Sequence, residues 1–257
     1  MHDLKVTLIQ SDLAWEDKAR NMGIFSQLIN ACESTDLIIL PEMFTTGFSM
    51  QAEKLAEKMD GTTMEWMYRT AQKKNCIVAG SLIIEDNKKY YNRLVWMRQD
   101  GSFEVYDKRH LFSLGDEHNH YTGGTKKIIV ELKGWRIYPL ICYDLRFPAW
   151  SRNTDNYDLL MYVANWPERR IYAWKQLLIA RAIENQSYVV GVNRIGTDGN
   201  NLYHSGNSAV INAMGEVIWE SVNERAVLTT TLSKAELDET RRKLPFLDDK
   251  DSFEIRN

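Results

Sequence analysis

The chain has 257 residues, 44% hydrophobic and 26% charged with only 14 Gly and 5 Pro, which is the balance of a packed globular protein and excludes a disordered or fibrous class. Its 32 Lys and Arg against 35 Asp and Glu leave a formal net charge of -3. No basic field exists to hold nucleic acid or an anionic membrane, which favours a small-molecule partner.

From the amino end, Met1 to Lys5 lack the basic and apolar regions of a secretory signal, so export is not expected. Strands are predicted at Lys5 to Gln10 and Leu37 to Leu40, with an amphipathic helix at Lys18 to Cys32 between them. A helix at Thr62 to Lys74 leads to strands at Cys76 to Ile84, Tyr90 to Arg98 and Phe103 to Tyr106, the last two joined by an Asp100-Gly101 hairpin signal. Strands follow at Ile128 to Leu132, Trp135 to Ile141 and Leu159 to Val163, with a short helix at Ala149 to Asn153. The longest apolar run, Leu159 to Ala164, falls far short of the roughly 18 to 20 residues of a membrane span. A helix at Tyr172 to Asn185 precedes strands at Tyr188 to Asn193, Ser208 to Asn212, Val217 to Glu220 and Ala226 to Thr231, with a hairpin signal at Ala213-Met214-Gly215. The last helix, Ser233 to Lys243, carries a capping serine before Glu236.

Crossovers and hairpins together predict a mixed sheet, and with no linker or repeat the chain reads as one domain over 1–257. No Gly-x-Gly-x-x-Gly follows the first strand and no Gly-x-x-x-x-Gly-Lys occurs, so nucleotide cofactors lose most of their support. The cysteines Cys32, Cys76 and Cys142 are odd in number and contain no Cys-x-x-Cys, which fits a reducing cytoplasm and neither a disulfide framework nor a zinc ribbon.

Reactive residues cluster at predicted strand ends, the edge where α/β sheets place ligands. Pro41 cannot donate to a ladder, so its strand should stop there and present Glu42, although a lone glutamate is as readily a cap or surface ion-pair partner. Lys108 follows another strand, and the apolar Leu111-Phe112 after it suggests that the chain turns inward, which would make Glu42 or Glu117 its partner. Cys142 ends a very apolar strand before Tyr143-Asp144-Leu145-Arg146-Phe147-Pro148, where a thiol should face a helix amino end that stabilises thiolate and oxyanion. Cys32 and Cys76 read as small hydrophobes. A rival metal site would use His118-x-His120 with His110, Glu117 or His204, but loop histidines without a second motif are more often solvated.

Leu40-Pro41-Glu42-Met43-Phe44, Asp107-Lys108-Arg109-His110-Leu111-Phe112 and Ile141-Cys142-Tyr143-Asp144-Leu145-Arg146-Phe147-Pro148, in this order, resemble the nitrilase superfamily of carbon-nitrogen hydrolases. Asn165-Trp166-Pro167 and Ala180 to Gln186 extend the similarity over essentially the whole chain, which looks most like the omega-amidase branch. The resemblance implies an α/β fold, an α-β-β-α sandwich of two mixed sheets with helices on the outer faces, often paired into a homodimer. It implies Glu42 as general base, Lys108 as oxyanion stabiliser, Cys142 as nucleophile and Glu117 as the glutamate that orients Lys108. The Tyr143 backbone N-H is expected to share the oxyanion, with a thioester intermediate and no cofactor. The implied substrate is the side-chain amide of a 2-oxo dicarboxylic acid monoamide, such as 2-oxoglutaramate or 2-oxosuccinamate. Its remote carboxylate wants a cation and aromatic walls, for which Phe48, Asn165, Trp166, Arg169 and Arg170 are candidates. Arg146 and Arg181 are expected to form buried ion pairs with Asp144 and Glu184.

Overall fold

The computed structural model describes residues 2–255. Strand β1 (Leu4–Gln10) leads through helix α1 (Lys18–Ala31) to β2 (Leu37–Ile39), and α2 (Ala52–Leu55) and α3 (Thr62–Lys74) precede β3 (Ile77–Asp86), β4 (Lys89–Met97) and β5 (Phe103–Asp107). A one-turn α4 (Glu117–His120) comes before β6 (Val130–Leu132) and β7 (Trp135–Ile141), and a short α5 (Pro148–Ser151) before β8 (Leu159–Ala164). Helix α6 (Ile171–Asn185) returns the chain to β9 (Tyr188–Asn193), β10 (Ile195–Thr197), β11 (Tyr203–Ile211), β12 (Val217–Val222) and β13 (Ala226–Leu232), and α7 (Lys234–Lys243) follows.

The strands form two mixed sheets. One runs β13-β1-β2-β3-β4-β5, and the other β10-β11-β9-β8-β7-β6 with β12 beside β11. In the first, β1, β2 and β3 are parallel neighbours; in the second, β7, β8 and β9 are. Alternation along the first sheet shows how it is buried: Leu4, Val6, Leu37, Ile39, Leu94 and Trp96 join the core shared with the second sheet. The intervening Ile9, Ile38, Val78 and Val95 pack with Phe25 of α1 and Met64 and Met67 of α3 on the outer face. The second sheet is apolar on both faces because α6 lies on it, and Gly191 allows the approach: a Cβ there would sit 2.7 Å from Trp174 and Leu178. The observed architecture is therefore the expected sandwich, with helices outside two facing sheets.

Three departures from the expected elements have local causes. Strand β11 begins at Tyr203 rather than Ser208, because Gly206 and Asn207, which interrupt the strand pattern, take positive φ in a bulge within the strand. The short helix starts at Pro148, a residue suited to the first helical position, and ends at Ser151. Glu117, expected in a loop, opens the one-turn helix α4.

Candidate active site

The carboxyl ends of β2, β5, β7 and β8 converge at one end of the sandwich. After β2, Leu40 keeps one ladder bond to Ala79, Pro41 offers no donor, and Met43 adopts φ 42 with its N-H held by Ser81 Oγ at 2.8 Å. This sharp turn drives the Glu42 side chain inward, where it is fully buried. Its Oε1 accepts from Lys108 Nζ at 2.9 Å and from Asn92 Nδ2 at 2.8 Å, and its Oε2 accepts the Asn165 N-H at 2.8 Å.

Lys108 leaves β5 with its N-H on the Asn92 carbonyl, and its ammonium is buried between two carboxylates: Glu42 and both oxygens of Glu117, at 3.0 and 2.9 Å. Burial alone would lower its pKa, but Glu117 and Glu42 overcome that and hold it raised, so the amine stays charged. Glu117 also accepts the Phe112 N-H at 2.6 Å and Asn92 Nδ2 at 3.2 Å. Burial pushes its pKa up, Lys108 opposes the shift, and the neighbouring Glu42 adds to it.

Cys142 follows β7 at φ 42, a left-handed conformation that is uncommon for a residue with a side chain, and opens a 3-10 turn over Cys142–Arg146. Asp144 holds that turn: fully buried, it accepts the Ile141 N-H at 3.1 Å, the Tyr106 hydroxyl at 2.7 Å, and both the N-H and Nδ1 of His110 at 3.0 and 2.8 Å. One carboxylate thus ties the turn that carries Cys142 to the strand end that carries Lys108. The expected stabilisation of thiolate by a helix amino end is not what the turn provides, because a 3-10 turn intervenes and α5 begins only at Pro148. Burial instead pushes the thiol well above its ordinary value, the nearby Glu42 charge adds to this, and Lys108 opposes it. Tyr143 stands at the start of the turn, where the helical backbone has no carbonyl for its N-H.

The structure brings Glu42, Lys108, Glu117 and Cys142 together. Glu42, Lys108 and Cys142 line a cavity of about 330 Å³ whose walls include Phe48, Phe112 and Trp166. Glu117 supports Lys108 from behind. At the mouth stand three arginines: Arg146 over the Trp166 ring at 4.9 Å, Arg170 over the Phe112 ring at 4.8 Å, and the exposed Arg169. Among the described residues none of these three has a carboxylate within ion-pair distance, and the wall carboxylate Asp198 is occupied by the Asn200 and Leu202 N-H groups. Asn165 lines the cavity, but its side-chain N-H binds the Glu42 carbonyl.

The expected Arg146–Asp144 pair is corrected. Side chains two apart on a helical turn diverge, so Asp144 turns to Tyr106 and His110 while Arg146 reaches the cavity. Arg181 does pair with Glu184 at 2.9 Å and donates to the Leu145 carbonyl at 2.6 Å. The histidines are scattered: His120 meets Asp116 on exposed α4, His110 meets Asp144, and His204 bonds the Leu202 carbonyl in the cavity wall. The residues that the sequence reading missed are Asn92 and Arg146. The available signal for Asn92 was an amide in the interior of a strand, just ahead of the apolar run Leu94-Val95-Trp96-Met97, where a buried polar group demands a partner.

The family model for carbon-nitrogen hydrolase matches residues 5–242. The chain is 46% identical to omega-amidase YafV of Escherichia coli (strain K12), over 99% of this chain and 100% of that protein. It is 34% identical to 2-oxoglutaramate amidase of Bacillus subtilis (strain 168), over 95% and 96%. The crystal structure of XC1258 from Xanthomonas campestris, a CN-hydrolase superfamily protein with an arsenic adduct in its active site, aligns with a TM-score of 0.98 and 44% identity, over 100% of both chains.

Proposed function

The chain belongs to the carbon-nitrogen hydrolase family, and on that premise we propose that it is an omega-amidase, which releases ammonia from the side-chain amide of 2-oxo dicarboxylic acid monoamides. The observation that carries the reading is one buried ammonium held between two carboxylates beside a thiol at the floor of a cavity. Glu42 takes the Cys142 proton as Sγ attacks the amide carbon, and the oxyanion lies between the Lys108 ammonium and the Tyr143 N-H. Collapse of the adduct breaks the C–N bond, and the proton on Glu42 leaves with ammonia. Water, losing a proton to the freed Glu42, then hydrolyses the thioester to the acid and restores the thiol. Glu117 keeps the ammonium in place throughout.

The arginines supply the other end of the substrate. Arg146 and Arg170 are each stacked on an aromatic ring of the wall and lack a carboxylate partner among the described residues, which suits them to a substrate carboxylate. Exposed Arg169 contributes at most at the rim. We expect a homodimer in the cytoplasm. Tyr172 and Ile183 on α6 and Met214 and Ile218 near β12 are each more than half exposed, which supports pairing through this helix-bearing side. Light scattering of the purified protein tests the pairing.

Ammonia release from a panel of omega-amides, simple nitriles and N-carbamoyl amino acids tests the activity. Turnover confined to the first group, unchanged after dialysis against a strong chelator, is expected. Preferred turnover of nitriles or carbamoyl substrates would place the chain in another branch of the family. Loss of activity restored by zinc would refute the thiol mechanism.

A further inference from the structure

Asn92 lies in the middle of β4 and is fully buried, with a side-chain amide that faces both glutamates. Its Nδ2 donates to Glu42 Oε1 at 2.8 Å and to Glu117 Oε1 at 3.2 Å, and its carbonyl accepts the Lys108 N-H at 3.0 Å. One residue therefore touches three members of the cluster. Its Oδ1, also buried, has no partner among the described residues. A buried acceptor left unpaired is costly, and a flip of the amide would aim that oxygen at two carboxylates. Its orientation is thus dictated by the charges it serves.

We infer that Asn92 is a positioning residue for the amidase reaction: its two N-H bonds let Glu42 and Glu117 both remain ionised around a single lysine, and so keep Glu42 available as the base. Two carboxylates with one ammonium, all three buried, leave an excess negative charge with little solvent around it. Hydrogen bonds donated to the ionised forms oppose the uptake of a proton. The titratable groups facing this amide are Glu42, Glu117 and Lys108, with Cys142 and Tyr121 next to them. Its chain neighbour Arg93 pairs with Asp107 and Asp86 and takes no part. The inference rests on Glu42 acting as base in the proposed amidase.

The test is the pH dependence of kcat/KM for Asn92→Ser and Asn92→Ala on 2-oxosuccinamate, beside the wild type. With donors removed, the carboxylate pair gains a proton more easily, and the acid limb should move to higher pH. A shift of about one pH unit is expected for Asn92→Ala and less for Asn92→Ser, whose hydroxyl can replace one donor. At low pH the Asn92→Ala rate would then fall roughly tenfold more than at the plateau. An acid limb that stays put while the plateau rate drops would mean that Asn92 only fills space, and would overturn the inference. If only Asn92→Ser folds, its limb decides; if neither folds, the role is one of packing and the inference also fails. A wild type inert on every amide would instead remove the underlying reading, an outcome distinct from unshifted variants of an active enzyme.

Discussion

Replacing Glu117 by Gln removes one negative charge from the cluster while keeping its shape. The two Glu117 oxygens accept from Lys108 at 3.0 and 2.9 Å, from the Phe112 N-H at 2.6 Å and from Asn92 at 3.2 Å. A glutamine has one oxygen for these donors. If that oxygen keeps the Phe112 N-H, the new amide N-H groups face Asn92 Nδ2 and the ammonium, donor against donor. Breaking a buried ion pair costs about 3 to 5 kcal/mol. Lys108 retains Glu42, so the lower part of that range applies, and about 3 to 4 kcal/mol on the barrier is roughly a 100- to 1,000-fold loss of turnover. The lost interaction does not touch the substrate, since Glu117 stands behind Lys108 rather than in the cavity wall. KM should therefore change little while kcat falls. Initial rates of ammonia release from 2-oxosuccinamate, with circular dichroism to establish folding, measure both. A folded variant with kcat within about threefold of wild type, under 1 kcal/mol of barrier, would refute the role of Glu117 in holding the ammonium.

Cys142→Ala should remain folded and lose turnover entirely, whereas Cys32→Ala should keep it; ammonia released by the former at the wild-type rate would unseat the nucleophile. Arg170→Ala and Arg146→Ala should each lose about ten- to a hundredfold in kcat/KM on 2-oxosuccinamate and little on a neutral short amide, the loss expected for a charge-assisted contact of about 1.5 to 3 kcal/mol. Equal losses on both substrates would show that the carboxylate is held elsewhere. His204 has its pKa lowered to about 4, first by burial and then by the Arg194 charge, so the unfolded chain binds its proton more tightly. Its contribution is present above about pH 6.5 and is lost as pH falls towards 4, on the order of 3 kcal/mol. Tm measured over this interval should fall less steeply in His204→Gln, and parallel curves would discount the assignment.

The convergence of Glu42, Lys108 and Cys142 was legible because each sits where a strand must end. Pro41 stops β2, the apolar Leu111-Phe112 turns the chain in after β5, and Cys142 closes a strand that is apolar from Ile137 onward. The sheet pairing was less legible. The two sheets come together through residues far apart in sequence, and the positive-φ Gly206 and Asn207 that interrupt the strand pattern are a bulge against Gln10. Asn92 was hidden for a similar reason, since its partners lie 50 and 25 residues away. The Arg146 error was one of direction rather than of composition: the residues are two apart, and the turn points Asp144 inward to Tyr106 and Arg146 outward to the cavity.

In the proposed mechanism, charge conservation within the buried cluster would let a thiol pushed upward by burial still serve as the nucleophile. At rest two glutamates, one ammonium and a neutral thiol carry a net charge of -1; after the proton moves from Cys142 to Glu42, one glutamate, one ammonium and a thiolate carry the same -1. Burial penalises the anion in either position, so much of its cost cancels in the transfer even though it opposes loss of the thiol proton to bulk water. Lys108 lies close enough to act on the charge in both states, and in the proposed tetrahedral adduct the same ammonium would meet the oxyanion. A neutral histidine as base would become a cation on taking the proton, changing its own charge in a site already built around one fixed ammonium. A glutamate that becomes neutral avoids placing a second cation beside Lys108, which within the proposed mechanism favours a carboxylate over an imidazole as the base.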